Sequence, residues 1–138
     1  MNFSKTTEYA FRILSFMAQD ESKLYNVDEI FAKLRIPYRY LRKLMTNLTR
    51  SGFIVSIQGK NGGYKISRKT EEIKLLEILN AVDPEYLSGK CFFGFDNCAL
   101  QIPCIMHSQW TDIRTNMNTI LAGTSLADIK KTNNEISS

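Results

Sequence analysis

The sequence predicts a mainly α-helical chain that carries one small β-hairpin and ends in a long amphipathic helix. In the first half, apolar side chains recur at helical spacing in three successive stretches. A glycine-rich turn between two short β-prone runs follows, which is the pattern of a hairpin. Between residues 106 and 120, apolar side chains recur in alternating steps of four and three, as they do along a helix that packs lengthwise on another helix.

The first three helices are each predicted by a start signal and an apolar face. Ser4 is a suitable N-cap for a helix over about residues 4–19. Asn26 and Glu29 form the pattern of a capping box and open a second helix. Pro37 cannot continue that helix but can start the next one, which we expect over about residues 38–50, with Gly52 as its stop. The predicted inner faces are Ala10, Ile13, Leu14 and Met17; Val27, Ile30, Phe31 and Leu34; and Leu41, Leu44, Met45 and Leu48.

The order of the predicted elements is that of a winged helix-turn-helix. Strands are expected at residues 53–57 and 64–67, then a helix over 73–82, a loop, a helix over 105–122, a short last helix from Thr124 and a polar tail over 130–138. We therefore expect a winged helix-turn-helix DNA-binding domain at residues 1–83 and a cysteine-containing loop at 84–104. A long dimerisation helix, a short final helix and a tail would occupy residues 105–138.

Charge divides the chain into two unlike halves. The whole sequence holds 18 Lys and Arg against 14 Asp and Glu, a net charge of +4. Residues 1–70 contain 13 basic and 5 acidic side chains, whereas residues 71–138 contain 5 and 9. This asymmetry favours a polyanion-binding module joined to a second element over an evenly solvated basic surface.

The third predicted helix concentrates its basic side chains opposite its leucines. By their spacing one face carries Arg39, Lys43, Thr46 and Arg50, flanked by Tyr38, Tyr40, Arg42 and Asn47. A recognition helix needs this distribution, with the apolar side toward the core and donors toward the major groove. Its N-terminal residues usually reach the bases, so Tyr38, Arg39 and Arg42 are expected to read sequence. Lys43 and Arg50 are expected to contact phosphates, which position the protein without specifying sequence.

The turn from Gln58 to Gly63 is the expected tip of the wing. Its three glycines permit a close approach of the backbone. Lys60 and Asn61 are expected to enter a minor groove and Lys65 to meet a phosphate; a purely structural hairpin with incidental lysines is the alternative. The residues expected to bind DNA are therefore Tyr38, Arg39, Tyr40, Arg42, Lys43, Asn47, Arg50, Lys60, Asn61 and Lys65.

All three cysteines and the only histidine fall between residues 91 and 107. Cys91, Cys98, Cys104 and His107 have the spacing C-x6-C-x5-C-x2-H, which differs from the paired CxxC of zinc ribbons. Three thiolates suit either zinc, with His107 as a fourth ligand, or an iron–sulfur cluster. The segment could also carry bare thiols that sense redox state, or have no function at all. A disulfide framework is not expected, because the count is odd and cytoplasmic thiols stay reduced.

An apolar seam runs along the last long helix. Its members are Met106, Trp110, Ile113, Met117 and Ile120. Such a seam is typical of a coiled-coil-like contact between two chains, so we expect a homodimer. The alternative is a helix that packs on its own core. The partner seam is favoured because little other core is available so far from the first domain.

Several function classes lack their sequence signals. No uncharged run reaches the roughly 20 residues of a membrane span, and the start lacks the pattern of a signal peptide, so we expect a cytoplasmic protein without a membrane partner. There is no second histidine for a Ser/His/Asp set, no GxGxxG and no P-loop spacing. We therefore expect neither an enzyme nor a small-molecule substrate.

The chain resembles the small bacterial winged-helix regulators of the IscR and NsrR type. The matching stretches, which run from Phe3 to about Ile129, are FSKTTEYAFRIL, YLRKLMTNLTRSGFI, GKNGGYKIS, ILNAVD and the three-cysteine loop with LADI after it. The resemblance implies a dimeric transcription factor with an iron–sulfur cluster on the three cysteines. In IscR-like proteins the matching histidine completes a 2Fe–2S site, which implies His107. In NsrR-like proteins an acidic residue in the first helix of the other subunit completes the cluster, which implies Glu8.

The expected function is a DNA-binding transcriptional regulator, with repression as its expected direction. Its binding to a double-stranded operator would be switched at the three-cysteine loop by an iron–sulfur cluster or by a redox or nitric oxide signal. A 2Fe–2S cluster is the expected cofactor, with 4Fe–4S and then zinc as alternatives. Two different functions stay open: a winged-helix regulator that holds only zinc or thiols, and a metal or redox scaffold that binds nucleic acid without specificity.

Overall fold

The computed structural model describes residues 3–86, 92–93 and 104–137, with side chains up to residue 132. This part of the chain contains six α-helices and one two-stranded hairpin. The helices are α1 (Lys5–Met17), α2 (Val27–Leu34), α3 (Tyr38–Arg50), α4 (Leu75–Val82), α5 (Ile105–Gly123) and α6 (Leu126–Ser137). The strands are β1 (Ile54–Ile57) and β2 (Gly63–Ile66), and a 3₁₀ turn at Thr70–Glu72 precedes α4.

The predicted caps start the first two helices. The Ser4 hydroxyl accepts a hydrogen bond from the N–H of Thr7 at 3.3 Å, and the Asn26 side chain accepts one from the N–H of Glu29 at 2.8 Å. Each bond satisfies a helix N–H that has no partner within its own helix. The turn between α2 and α3 passes through Arg35, whose φ of 57° lies in the left-handed region. This turn of three residues is the tight connection that a helix-turn-helix requires.

The core lies where α1, α2, α3 and the hairpin meet. Its fully buried large side chains include Ile13, Leu14, Met17, Ile30, Leu41, Met45, Leu48 and Ile54. Burial of each such side chain stabilises the fold by about 1.5–3 kcal/mol relative to an exposed position. The predicted inner faces of α1 and α3 are therefore confirmed. On α2, Ile30 is fully buried while Val27, Phe31 and Leu34 pack at the core's edge.

The hairpin is antiparallel and is tethered to the segment between α1 and α2. Ile54 stands opposite Ile66 in its register. Tyr25 and Tyr64 exchange two backbone N–H···O bonds of 2.8 Å, which add a short bridge to the edge of β2. A Cβ at Gly63 would lie 2.9 Å from the carbonyl oxygen of Tyr25. The close approach of these two backbones therefore requires glycine at position 63.

The turn between α5 and α6 is hydrogen-bonded to the segment before α4. The N–H of Leu75 donates to the carbonyl of Thr124 at 2.9 Å, and the N–H of Leu126 donates to that of Ile73 at 3.0 Å. This bridge explains why the predicted helix over 73–82 begins only at Leu75. Leu126 is fully buried, and α6 packs against α1 and the 3₁₀ turn while α5 packs against α4.

The expectation of a short last helix followed by a polar tail over residues 130–138 is wrong, because α6 extends through most of that range, to Ser137. A reciprocal cap fixes the first turn of α6: the Ser125 N–H donates to the Asp128 carboxylate at 2.9 Å, and the Asp128 N–H donates to the Ser125 hydroxyl at 3.2 Å. The hydrogen bonds that the Ser125 N–H and hydroxyl donate to the carboxylate hold the pKa of Asp128 below its usual value. Residues 126–138 contain no glycine or proline that would interrupt the helix. None of the helices in the described ranges is long and apolar enough to cross a membrane.

Candidate nucleic-acid interface and cysteine segment

The outward face of α3 forms an exposed ridge of basic and polar side chains. The ridge consists of Arg39, Arg42, Lys43, Thr46 and Arg50, all exposed. The ion pairs between two described residues lie away from the ridge, at Lys5–Glu8, Lys23–Glu29 and Arg68–Glu77. The positive charge of the ridge is therefore not neutralised by the described part of the chain.

A groove separates the ridge from the hairpin, and we call it the wing-side groove. It has a volume of about 390 Å³ and is lined by Val27, Tyr38, Arg42, Lys43, Thr46 and Tyr64. Tyr38 is 41% exposed and packs edge-on against Phe31, with 5.6 Å between ring centroids. The first turn of α3 thus presents a supported aromatic side chain beside two cations.

A second groove lies on the opposite flank of the ridge, and we call it the α1-side groove. One part is lined by Thr6, Tyr40, Lys43, Leu44 and Asn47, and a wider part of about 320 Å³ by Thr6, Asn47, Arg50, Ser51, Ala81 and Val82. Tyr40 is half-buried because its hydroxyl is hydrogen-bonded to the Thr6 hydroxyl and its ring packs edge-on against Tyr9 at 5.5 Å. Asn47 is also half-buried, so these two predicted DNA-binding residues lie beside the ridge rather than on it.

The tip of the hairpin is a tight turn that exposes its polar side chains. Lys60 and Asn61 are exposed, whereas Lys65, on β2, is half-buried. Gly59 has a φ of 112°, and a Cβ at Gly62 would lie 2.1 Å from the carbonyl oxygen of Ile57. The glycines are therefore needed for the turn itself, which then projects Lys60 and Asn61 away from the core.

An ion pair connects the end of the hairpin to α4. The Arg68 guanidinium donates to both carboxylate oxygens of Glu77, at 2.8 and 3.3 Å, and to the carbonyl of Glu72 at 3.2 Å. The bond from Arg68 holds the pKa of Glu77 below its usual value. This bidentate contact restricts how the hairpin can move relative to α4.

The residues predicted to bind a metal are only partly within the described ranges. Cys91 and Cys98 lie outside them. Cys104 is a half-buried free thiol at the N-cap of α5, and the N–H of His107 donates to its carbonyl at 2.9 Å. His107 is exposed in the first turn of α5. Glu8, the alternative ligand, is 28% exposed and pairs with Lys5 at 3.1 Å.

The apolar seam of α5 is only partly covered. Ile113 and Ile120 are 44% and 64% exposed, and Met106, Trp110 and Met117 are half-buried. Phe92, which follows Cys91 in the sequence, packs edge-on against Trp110 at 5.5 Å. In α5, Leu121 is the buried position. The seam therefore leaves large apolar side chains facing solvent.

Sequence reasoning missed the residues that α1 and α2 add to the flanks of the ridge. Thr6 lines the α1-side groove, and Val27 lines the wing-side groove with Tyr64. The contact between Thr6 and Tyr40 spans 34 positions in sequence. No local pattern signals such a contact, since Thr6 also fits an ordinary first helical turn.

The sequence matches a family model and the sequences of known transcriptional regulators. The model of the Rrf2 family, described as an iron-dependent transcriptional regulator, matches residues 3–132. This chain belongs to the Rrf2 family. It is similar to the HTH-type transcriptional regulator NsrR of Oceanobacillus iheyensis, with 31% identity over 108 residues that cover 77% of this chain and 74% of that relative.

Solved structures show the same fold at lower sequence identity. This Rrf2 chain is similar to T. potens IscR, with a TM-score of 0.82 and 19% identity over 100% of this chain and 92% of that one. It is also similar to CymR, the global cysteine regulator of B. subtilis, with a TM-score of 0.79 and 20% identity over 96% and 98%. The expected family and winged-helix fold are confirmed. Membership of the Rrf2 family makes the chain a transcriptional regulator rather than an enzyme.

Proposed function

We propose that this Rrf2 regulator binds a double-stranded DNA operator as a homodimer and represses transcription from it. We further propose that its operator affinity changes with the state of an iron–sulfur cluster at the cysteine segment, residues 84–104. The single observation that carries DNA binding is the basic ridge of α3, which no described carboxylate neutralises.

In this proposal the ridge and the wing contact different parts of the DNA. Arg39 and Arg42, which are exposed near the N-terminal end of α3, read base edges in this proposal, since Arg can bond guanine through two parallel hydrogen bonds. Lys43 and Arg50 contact phosphates, as does Lys65. Lys60 and Asn61 enter the minor groove from the wing tip. The Arg68–Glu77 pair keeps the base of the wing fixed while it does so.

The exposed seam of α5 supports the homodimer. Ile113 and Ile120 lie on the same side of α5, and their exposure would be costly in an isolated chain. A second copy would cover them and bring two copies of α3 into a symmetric pair. Two recognition helices then engage two half-sites of a pseudo-palindromic operator at a fixed spacing.

The described donors at the start of α5 fit an iron–sulfur cluster. The residue at the N-cap and the residue three positions later lie next to each other at a helix start, and these are Cys104 and His107. A thiolate and an imidazole are both ligands that iron–sulfur clusters accept. We propose Cys91, Cys98, Cys104 and His107 as the ligands of a 2Fe–2S cluster. Glu8 is the alternative fourth ligand, but it would first have to leave Lys5.

When bound, the cluster would supply a centre that responds to iron supply, oxidants or nitric oxide. The chain's own residues transmit that response. Cys104 and His107 hold the first turn of α5, while hydrogen bonds to Ile73 and Leu75 fix the turn after its far end. A change in how the first turn is held therefore reorients α5 about a fixed end. In a dimer built on α5, that reorientation changes the spacing of the two copies of α3.

Operator binding and metal content measured on one sample test this proposal. The protein is purified without oxygen, a preferred duplex is selected from random DNA, and iron, sulfide and zinc are quantified. We expect iron and sulfide to depend on Cys104, and affinity for the selected duplex to differ at least about tenfold between the cluster-containing and the cluster-free protein. Stoichiometric zinc without iron would contradict the cluster. Binding without any preference among duplexes would contradict the operator and favour a scaffold.

A further inference from the structure

We infer that the α1-side groove is a seat for one phosphodiester of the DNA backbone, with Asn47 and Arg50 as its donors. This inference rests on the proposed DNA-binding function and adds a site to it. Thr6 and Tyr40 form the wall of the seat, so Tyr40 is a positioning residue rather than a contact to a base. The seat lies on the flank of α3 that faces away from the wing.

The two grooves lie on opposite sides of the ridge, as the two sugar–phosphate strands do on either side of a helix in the major groove. The ridge of α3 stands between the wing-side groove and the α1-side groove, and Lys43 lines both. A helix in the major groove, which is about 12 Å wide, has one sugar–phosphate strand on each side. When the ridge contacts base edges, each flanking groove therefore faces one backbone.

The side chains of the α1-side groove suit a phosphate. The half-buried amide of Asn47 makes no hydrogen bond to a described residue, and the Arg50 guanidinium takes part in no ion pair with one. No carboxylate is among the residues that line the groove. An amide and a guanidinium are common donors to phosphate oxygens. The groove thus offers both neutral and charged donors to an anion.

The wall of the seat is held in place before DNA arrives. The bond between the Thr6 and Tyr40 hydroxyls and the packing of Tyr9 on Tyr40 fix α1 against α3. Asn47 lies two turns after Tyr40 on the same face of α3, and it reaches the groove beside Thr6. A seat whose walls are already ordered loses little entropy on binding.

The seat is tested with two variants, Asn47→Ala and Arg50→Ala. Their affinities for the selected duplex and for a scrambled duplex are measured over a range of salt concentrations. Each variant should bind about three- to tenfold more weakly than the wild type, and for a given variant this factor should be the same for the selected and the scrambled duplex. Arg50→Ala should also reduce the slope of log affinity against log salt by about one, and Asn47→Ala should leave the slope unchanged. Asn118→Ala and Lys131→Ala remove matched groups that do not line the groove and should bind like the wild type.

A scan with single methylphosphonates in the duplex locates the contact. Neutralising one phosphate per half-site should erase the difference between the wild type and Arg50→Ala, and other positions should preserve it. The inference is overturned if no position erases the difference, or if folded Arg50→Ala changes which duplex is preferred. It is also overturned if inorganic phosphate alone shifts the Asn47 amide signals in an NMR spectrum while methylphosphonate substitution at every position of the duplex leaves the affinity of the wild type unchanged. A wild-type protein without any preferred duplex would instead contradict the proposed function.

Discussion

The ring of Phe3 lies 5.0 Å from the ring of Tyr86, measured between centroids. Phe3 directly precedes the N-cap of α1, and it also packs edge-on against Phe11 at 5.5 Å. Tyr86 belongs to the start of the cysteine segment, and burial raises the pKa of its phenol. Because α1 bears on α3 through Thr6 and Tyr40, this contact connects the cysteine segment to the helix that supports the recognition helix.

Removal of the Phe3 ring should weaken the link between the cysteine segment and DNA binding. Phe3→Ala loses an aromatic contact that contributes about 0.5–1.5 kcal/mol beyond its buried area. We expect the metal-free variant to bind the operator like the metal-free wild type, while the affinity ratio between cluster-containing and metal-free protein moves toward one. Titrations of both states by fluorescence anisotropy measure this ratio.

Phe16→Ala is the matched control for that experiment. Phe16 packs against Tyr25, with 5.2 Å between centroids, and does not touch Tyr86 through any ring contact among the described residues. It should lower stability by a similar amount and keep the wild-type affinity ratio. If the affinity ratio between cluster-containing and metal-free protein moved toward one equally in both variants, general loosening of the fold rather than loss of the Phe3 contact would explain the change.

Arg42→Ala should relax sequence preference at one operator position. Arg42 is exposed beside Tyr38 in the wing-side groove, near the N-terminal end of α3. A lost bidentate base contact costs about 1–3 kcal/mol at its own base pair and little elsewhere. Affinities for all single-base variants of the selected duplex measure this effect. A uniform loss across all duplexes would assign Arg42 to a phosphate instead.

Gly63→Ala should detach the wing from the segment before α2. The added Cβ would lie 2.9 Å from the carbonyl oxygen of Tyr25, where it meets backbone that cannot easily move. Loss of the two hydrogen bonds between Tyr25 and Tyr64 should lower the free energy of unfolding by about 1–3 kcal/mol. Urea denaturation measures this change. Gly123→Ala, whose Cβ would meet nothing within 4 Å, is the control and should keep or raise stability.

Glu77 should make the stability of the fold pH-dependent in acid. Arg68 lowers the pKa of Glu77 in the folded state, so the carboxylate's contribution is complete above the unfolded pKa and is lost as pH falls through the folded pKa. The Arg68 and Glu77 side chains are 37% and 41% exposed, which limits the contribution to about 1 kcal/mol or less. Glu77→Gln should reduce the difference in unfolding free energy between pH 7 and pH 3, and Glu71→Gln, an exposed neighbour, should not.

The helix-turn-helix and its wing were predictable because local patterns determine them. Apolar spacing identified the buried face of α3, so its opposite face was correctly expected to be exposed. Ser4 and Asn26 marked helix starts through contacts that span only three residues. The density of glycines marked the turn between β1 and β2 for the same local reason.

The features that could not be predicted from the sequence depend on contacts between distant segments. The bridge between Lys74 and Ser125 shortens α4 and anchors the turn before α6, but nothing near either residue signals the other. Likewise, the half-burial of Tyr40 depends on Thr6 in α1 rather than on its place in α3. The cysteine spacing alone left zinc, an iron–sulfur cluster and bare thiols open. The resemblance to IscR- and NsrR-type regulators implied the cluster and offered two alternative fourth ligands, His107 in α5 and Glu8 in α1.

Operator affinity of one anaerobic sample, before and after removal of its iron, tests the central claim most directly. Iron and sulfide are quantified in the sample, and the affinity for the selected duplex is measured in both states, with Cys104→Ala in parallel. We predict a preferred duplex, an affinity that changes at least about tenfold when iron is removed, and a Cys104→Ala variant that behaves like the iron-free protein. Equal affinity in the two states, with iron and sulfide verified in the first, would contradict the proposed switch.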